Sequence, residues 1–190
     1  MLRAVDRELY GGRAQYGRFI TVADLRPNLG LVEEEVTLSS YFSMLRLGAR
    51  LDGGSGMESL AEAVNGQVYE ALRRGDQYSA LLLSPMTMRL ALRNSRERMA
   101  DVALSFSGRS GLVEERSSFQ LVDWRACVSN FPVGPPCTAQ ARVFGGRLKI
   151  DFLFLEPETE PALVKRVLER FEQELIQWLA NSESAHGTNP

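Results

Sequence analysis

The stretch from residue 138 to residue 154 limits the possible folds of this chain more than any other. Ala139, Ala141 and Val143 alternate with Thr138, Gln140 and Arg142. After Gly145 and Gly146, the residues Leu148, Ile150, Phe152 and Phe154 alternate with Arg147, Lys149 and Asp151. A period of two puts alternate side chains on opposite faces of a strand. Gly-Gly between two such runs predicts a tight hairpin, because both central residues of the favoured two-residue turn take positive φ, which glycine adopts without a Cβ clash.

The flanking segments add helices and further strands. A short helix is expected over residues 2–9, stopped by Gly11 and Gly12. Residues 18–25, RFITVADL, are rich in β-branched and aromatic side chains and read as a buried strand, followed by a turn at Pro27, Asn28 and Gly30. Residues 41–51 show the alternation of a half-buried strand. Ser55 and Glu58 have capping-box spacing, and Met57, Leu60, Ala61, Val64, Val68 and Leu72 recur on one helical face. Arg73 and Arg74 suit the negative end of that helix, and Gly75 suits its left-handed closing residue. A second helix is expected from Pro85 to Met99, then a strand over residues 101–106 and an extended stretch over residues 119–128. Pro132, Gly134, Pro135 and Pro136 exclude regular structure. A closing helix starts near Pro161, with Val164, Val167, Leu168, Phe171, Leu175, Trp178 and Leu179 as its buried stripe. The expectation is an α/β fold: a mixed sheet of about five strands with packed helices. Residues 1–180 read as one domain and residues 181–190 as a disordered polar tail holding His186.

Composition removes several functions. The charges are 22 basic against 24 acidic, a net of −2, and 44% of the 190 residues are apolar. A disordered chain needs low hydrophobicity with high net charge, and nucleic-acid binding by bulk charge needs a basic excess, so no nucleic-acid partner is expected. No apolar run is long enough for a membrane span, the best candidate being interrupted by Ser84 and Pro85. The charged start MLRAVDREL lacks a signal-peptide core, and the expected location is cytoplasmic. Cys127 and Cys137 have no metal-ligand spacing and read as two buried thiols. The sequence holds no phosphate-binding lysine loop, no G-x-S-x-G elbow and no histidine pair, so neither a metal nor a tightly bound cofactor is expected. Gly53, Gly54, Ser55 and Gly56 before a helix match an anion cradle in composition only, and a capped turn accounts for them better.

The order of segments carries more information. VADLRPNLG, a long strand, a helix running into EALRRGDQYSALLL, then DVALSFSGR, the GGRLKIDFLF hairpin and a terminal amphipathic helix together resemble the C-terminal lobe of the CoA-dependent acyltransferase superfamily. That group includes condensation domains, alcohol acetyltransferases, and polyketide-associated and wax-ester acyltransferases, with a chloramphenicol-acetyltransferase-like fold. Its Leu-Arg-Pro or Asn-Arg-Pro turn is matched by Leu25, Arg26 and Pro27. Its Ser-Asn-x-Gly strand end is matched by Ser105, Phe106, Ser107 and Gly108, with Phe106 in place of Asn.

The resemblance implies transfer of an acyl group from a thioester of CoA or of a phosphopantetheine carrier to an alcohol or amine. It also implies a His-His-x-x-x-Asp motif on an N-terminal lobe, and this sequence has neither motif nor lobe. A positioned base contributes ~10²–10⁴-fold in rate, so the lobe alone is not expected to catalyse the reaction. Two partners follow from this: an N-terminal lobe bearing the histidine, for a lobe encoded separately or seen here as a partial chain, or a second copy in a non-catalytic dimer. A missing partner predicts a large bare apolar face, since obligate interfaces exceed ~2,000 Å².

The resemblance gives Arg26 the role of pairing with the aspartate of the partner lobe's motif, a fork that fixes geometry. The alternative is a surface arginine bonded to Asp24 or Glu33. Ser105, Ser107 and Gly108 would line the substrate tunnel, or simply end a strand. Arg89, Arg93 and Arg96 share a helical face. They are candidates to meet CoA phosphates or an acyl carrier protein, or else form a solvated face beside Glu97. SNFPVGPP, residues 129–136, reads as an arm to the other lobe or an exposed loop.

Overall fold

The computed structural model describes residues 1–30, 41–51, 56–94, 97–109, 121–128 and 133–186. Its elements run α1 (Leu2–Tyr10), β1 (Tyr16–Asp24), β2 (Phe42–Arg50), α2 (Met57–Arg74), α3 (Asp76–Arg93), β3 (Val102–Arg109), β4 (Thr138–Phe144), β5 (Arg147–Leu153) and α4 (Pro161–His186). The five strands form one mixed sheet in the order β2-β1-β3-β4-β5. β1 pairs antiparallel with β2 from Tyr16 opposite Arg50 to Asp24 opposite Phe42. The β1–β3 and β3–β4 pairs are parallel, and the β4–β5 hairpin is antiparallel. Gly145 and Gly146 have φ of 57° and 73°, the turn the sequence predicts.

Three helices build the core on one face of the sheet. Leu60, Val64 and Val68 of α2 pack on Phe19, Ala49 and Val102, and Ala71 and Leu72 pack on Ala23 and Leu45. At the other end, α1 and α4 bring Ala4, Val5 and Val167 onto Cys137, with Phe171 edge-on to Phe152 at 5.9 Å. Arg166 and Arg170 of α4 both donate to Glu8 of α1, which ties the two helices together.

Several expectations change. The second central helix begins at Asp76, directly after Gly75, and contains Pro85 instead of starting with it; it ends at Arg93, short of Met99. Proline is tolerated there because the carbonyl it leaves without an amide donor belongs to Leu81, an exposed residue that water can reach. The Thr87 hydroxyl donates to the carbonyls of Leu83 and Ser84. Gly56 takes the N-cap of α2 without a side-chain bond, and Ser55 lies outside the described residues. Ala61 of the expected α2 stripe is exposed.

Residues 121–128 contain no strand. Residues 133–136 are buried, with the Met99 amide donating to the Val133 carbonyl at 2.8 Å, so this part of the proline-rich stretch belongs to the domain interior. Cys127 is exposed, not buried. Trp178 and Leu179 of the expected α4 stripe are exposed, and α4 continues through residues 181–186 of the expected tail. Among the described residues no helix is long and apolar enough to cross a membrane.

Candidate functional site

Because β1, β3 and β4 run in the same direction, their C-terminal ends lie along one edge of the sheet. Ligands of open α/β sheets bind at such edges, where connecting loops carry polar groups beyond the paired backbone. Past their last mutual pair, Thr21 opposite Leu104, β1 continues three residues to Asp24 and β3 five residues to Arg109. The fold therefore brings the Arg26 turn and the Ser105–Gly108 strand end to the same edge, although about 80 positions separate them in sequence.

At this edge Arg26 opens a short 3-10 turn, Arg26–Leu29, with Pro27 at its start and Gly30 closing it at φ 63°. The turn is built on Asp24, which accepts from the Arg26 amide at 3.0 Å and from the guanidinium through Nε at 3.0 Å and Nη2 at 2.6 Å. This fork holds the Asp24 carboxyl below the usual carboxylate range. Both side chains are about half exposed. The Asp24 bond of the surface reading is present, and an outside carboxylate would have to share the guanidinium with it.

On β3, Ser105 is half-buried and Ser107 exposed, while Gly108 has φ 78° at a register shift between Phe106 and Arg109. The left-handed glycine makes a bulge that turns the strand end, and Phe106 beside it is 61% exposed. The edge thus offers hydroxyls, an arginine fork and an aromatic side chain. Among the described residues of this edge the one carboxylate in the fork, Asp24, has its pKa lowered by the Arg26 hydrogen bonds, which makes it a weak proton acceptor. Among the described residues no group of three His, Cys, Asp or Glu is arranged to hold a metal.

Arg89 and Arg93 are exposed on α3, which lies beside β2 and not at the Ser105–Gly108 strand end; Arg96 is outside the described residues. Between α3 and β2 a cavity of about 690 Å³ opens, lined by Ile20, Phe42, Met44, Leu81, Met88 and Leu90 among others. Phe42 pairs with Asp24, so one end of the cavity reaches the Arg26 edge.

Two buried charge clusters escaped the sequence reading. Asp101 accepts from the Arg18 amide at 2.7 Å, from the Arg18 guanidinium at 3.1 Å and from the Tyr10 hydroxyl at 3.0 Å. Burial and this carboxylate push the Tyr10 phenol up. On β4, Arg142 is only 3% exposed; it pairs with Asp151, reaches Asp123 at 3.4 Å and lies 5.5 Å from the centre of the Trp124 ring. Asp123 also binds Lys149 at 2.9 Å, so residues 121–128 are clamped over the polar face of the hairpin. The sequence signal was present only as an arginine on a strand with a carboxylate opposite Gln140 on its partner. Both clusters pin segments distant in sequence; Asp101 precedes β3 at the far end of the sheet, whereas Arg142 lies between Ala141, the partner of Phe106, and Val143, the partner of Arg109, beside the Ser105–Gly108 strand end.

The chain matches no family model and no curated protein. Among solved structures it is similar to the condensation domain that mediates chain release from the enacyloxin polyketide synthase, at a TM-score of 0.54 and 13% identity. The alignment covers 93% of this chain and 34% of that one. It is also similar to the epimerization domain from the third module of tyrocidine synthetase B, at a TM-score of 0.48, 15% identity, and coverage of 93% and 40%. The chain spans between a third and two fifths of the length of these two structures. The likeness is one of fold: an α/β unit with a mixed five-stranded sheet that corresponds to a partial lobe of a condensation-domain structure.

Proposed function

We propose that this chain is the C-terminal lobe of an acyltransferase that uses a thioester of CoA or of a phosphopantetheine carrier, and that it works with a second lobe bearing the histidine base. The observation that carries this reading is the match of nearly the whole chain to part of a condensation domain. In the complete enzyme, the acceptor oxygen or nitrogen would give its proton to the partner's histidine while bonding the thioester carbonyl carbon. The carbon–sulfur bond then breaks and the thiolate recovers the proton. Arg26 would hold the partner's motif in shape by sharing its fork, and Ser105, Ser107 and Gly108 would line the passage for the acyl chain. Arg89, Arg93 and Arg96 would meet the phosphates of the donor or an acyl carrier protein.

The test is to mix the purified chain with a lobe carrying the His motif and follow thioester cleavage. The expected result is a rate above that of either lobe alone, reduced by Arg26→Ala. No gain on mixing would sink the proposal. A second reading, a non-catalytic dimeric module that binds an acyl chain or a carrier protein, draws support from the exposed apolar surface of α3.

A further inference from the structure

β2 is the outermost strand on its side of the sheet, so one of its edges has no strand beside it. The register shows which residues face that edge. The Leu25 amide donates to the Tyr41 carbonyl and the Leu51 amide to the Gln15 carbonyl, so the odd-numbered residues of β2 bond to β1. In an antiparallel pair the residues between them point their backbone groups away from the partner. Those residues are Phe42, Met44 and Arg46, followed by Gly48, whose carbonyl accepts from the Tyr16 hydroxyl outside the ladder. The pairing runs through all nine residues of β2 without a bulge. An edge this long and regular is a template for another chain.

The cavity beside α3 lies along this edge. Every residue from Phe42 to Leu47 lines it, although their side chains alternate between the two faces of the sheet. Only a space at the edge of the strand meets both sets. Its far wall is α3, through Leu81, Met88 and Leu90. Phe42, Met44, Leu81 and Leu90 are between 41% and 55% exposed, which makes the lining apolar and open to solvent. From Phe42 to Leu47 the groove is about 17 Å long at ~3.4 Å per residue. Its volume of about 690 Å³ is that of about five close-packed residues. One added strand sits ~4.8 Å from β2, whereas the edge of a second copy would bring further strands into the place of α3.

The two ends of the groove differ in charge. Arg46 is opposite Ile20 and Gly48 is opposite Arg18, whose carbonyl accepts from the Asp101 amide, so Glu97 and Arg98 lie at the Arg46 end. Arg98 donates to the carbonyls of Gly134 and Glu158, which hold it in place without cancelling its charge. Among the described residues neither Arg46 nor Arg98 is paired with a carboxylate, and with Glu97 counted this end keeps an excess of positive charge. At the other end Asp76 is already paired with Arg74 at 2.7 Å. An extended chain with its carboxylate at the arginine end matches this charge, and its amides match the outward groups of Phe42, Met44 and Arg46.

We infer that the groove between β2 and α3 binds the C-terminal residues of an extended peptide, which joins the sheet as a strand parallel to β2 with its end carboxylate at Arg46 and Arg98. The inference goes beyond acyl transfer and does not depend on it.

The probe is the pentapeptide Thr-Val-Thr-Leu-Val with fluorescein on its N-terminus and a free C-terminus, titrated with the full chain and followed by anisotropy. Saturable one-site binding is expected, at least ~10-fold tighter than that of the same peptide with an amidated C-terminus. Arg46→Gln, at an exposed position, should remove that preference and leave binding of the amidated peptide unchanged. N-methylation of one alternating set of peptide amides should abolish binding and methylation of the other set should not, because only one set faces β2 in an added strand. No saturation below about 1 mM, equal binding of the two methylated peptides, or a carboxylate preference that survives Arg46→Gln would overturn the inference. So would decanoate displacing the probe as readily as unlabelled peptide does, since the groove would then take any apolar carboxylate. A dimeric chain that binds no peptide would give the edge to a second copy and overturn it as well. Failure of the acyl-transfer assay leaves the peptide result untouched.

Discussion

α2 and α3 are both 18 residues long, are joined by the single residue Gly75, and both lie against β2. They use their apolar residues in opposite ways. α2 presses Leu60, Val64 and Val68 onto Phe19, Ala49 and Val102 and leaves its charged side in water. α3 lines an open cavity with Ala80, Leu81, Ser84, Thr87, Met88, Leu90 and Ala91 and leaves Leu82, Leu83 and Met86 to solvent. Adjacent helices of equal length can therefore be equally regular while only one contributes to the core. Helix formation follows from propensity and end signals, whereas burial depends on which face meets a neighbour. An isolated α3 surface is a liability unless a further layer covers it.

Thiol chemistry gives the widest contrast between a packed layer and an open surface. Cys137 is buried under α1 and α4, and burial pushes its thiol from 9.0 up to about 11. Exposed Cys127 should react with a neutral-pH thiol reagent at least ~10³-fold faster, because Cys137 reacts only through opening of the core. Comparable rates would mean that the α1–α4 layer is not closed. The same group sets a pH dependence. Above pH 9 the unfolded chain loses the thiol proton while the folded chain retains it, so stability should fall between pH 9 and about 11, and Cys137→Ala should flatten that slope.

Denaturant titration sharpens the comparison between the helices. Phe19→Ala, beneath α2, should cost ~3–5 kcal/mol. At Gly48 an added Cβ would come within 2.1 Å of the Tyr16 ring, whose hydroxyl donates to the Gly48 carbonyl at 3.0 Å. Gly48→Ala should therefore displace the exposed ring and cost ~1 kcal/mol by losing that bond. Leu82→Ser on α3 should change monomer stability by no more than ~0.5 kcal/mol. If Leu82→Ser proved as costly as Phe19→Ala, α3 would be part of the core and the contrast would fail.

Much of the fold was legible where one local rule decides. Gly145 and Gly146 sit between alternating runs, and only positive φ closes that turn. Gly75, after Arg73 and Arg74, ends α2 at φ 78° as expected. The start of α3 was misread because a proline marks a helix start by local rules, and only exposure of the neighbouring carbonyl makes an interior proline affordable. The candidate edge was half legible. Leu25, Arg26, Pro27 and the Ser105–Gly108 strand end were visible as short motifs, but their placement at one edge depends on the parallel pairing of β1 with β3.

By itself the sequence determined the strands, the hairpin turn, three of the four helices and the balance of charge, since each depends on residues a few positions apart. Tertiary structure decided which side of α3 faces water, that β4 is buried on both faces, and that Arg142 lies inside with Asp123 and Asp151. The physical reason is that burial is a property of what packs opposite. The residues that cover the Arg142 face of β4 belong to a segment without regular structure, whose position no periodicity encodes.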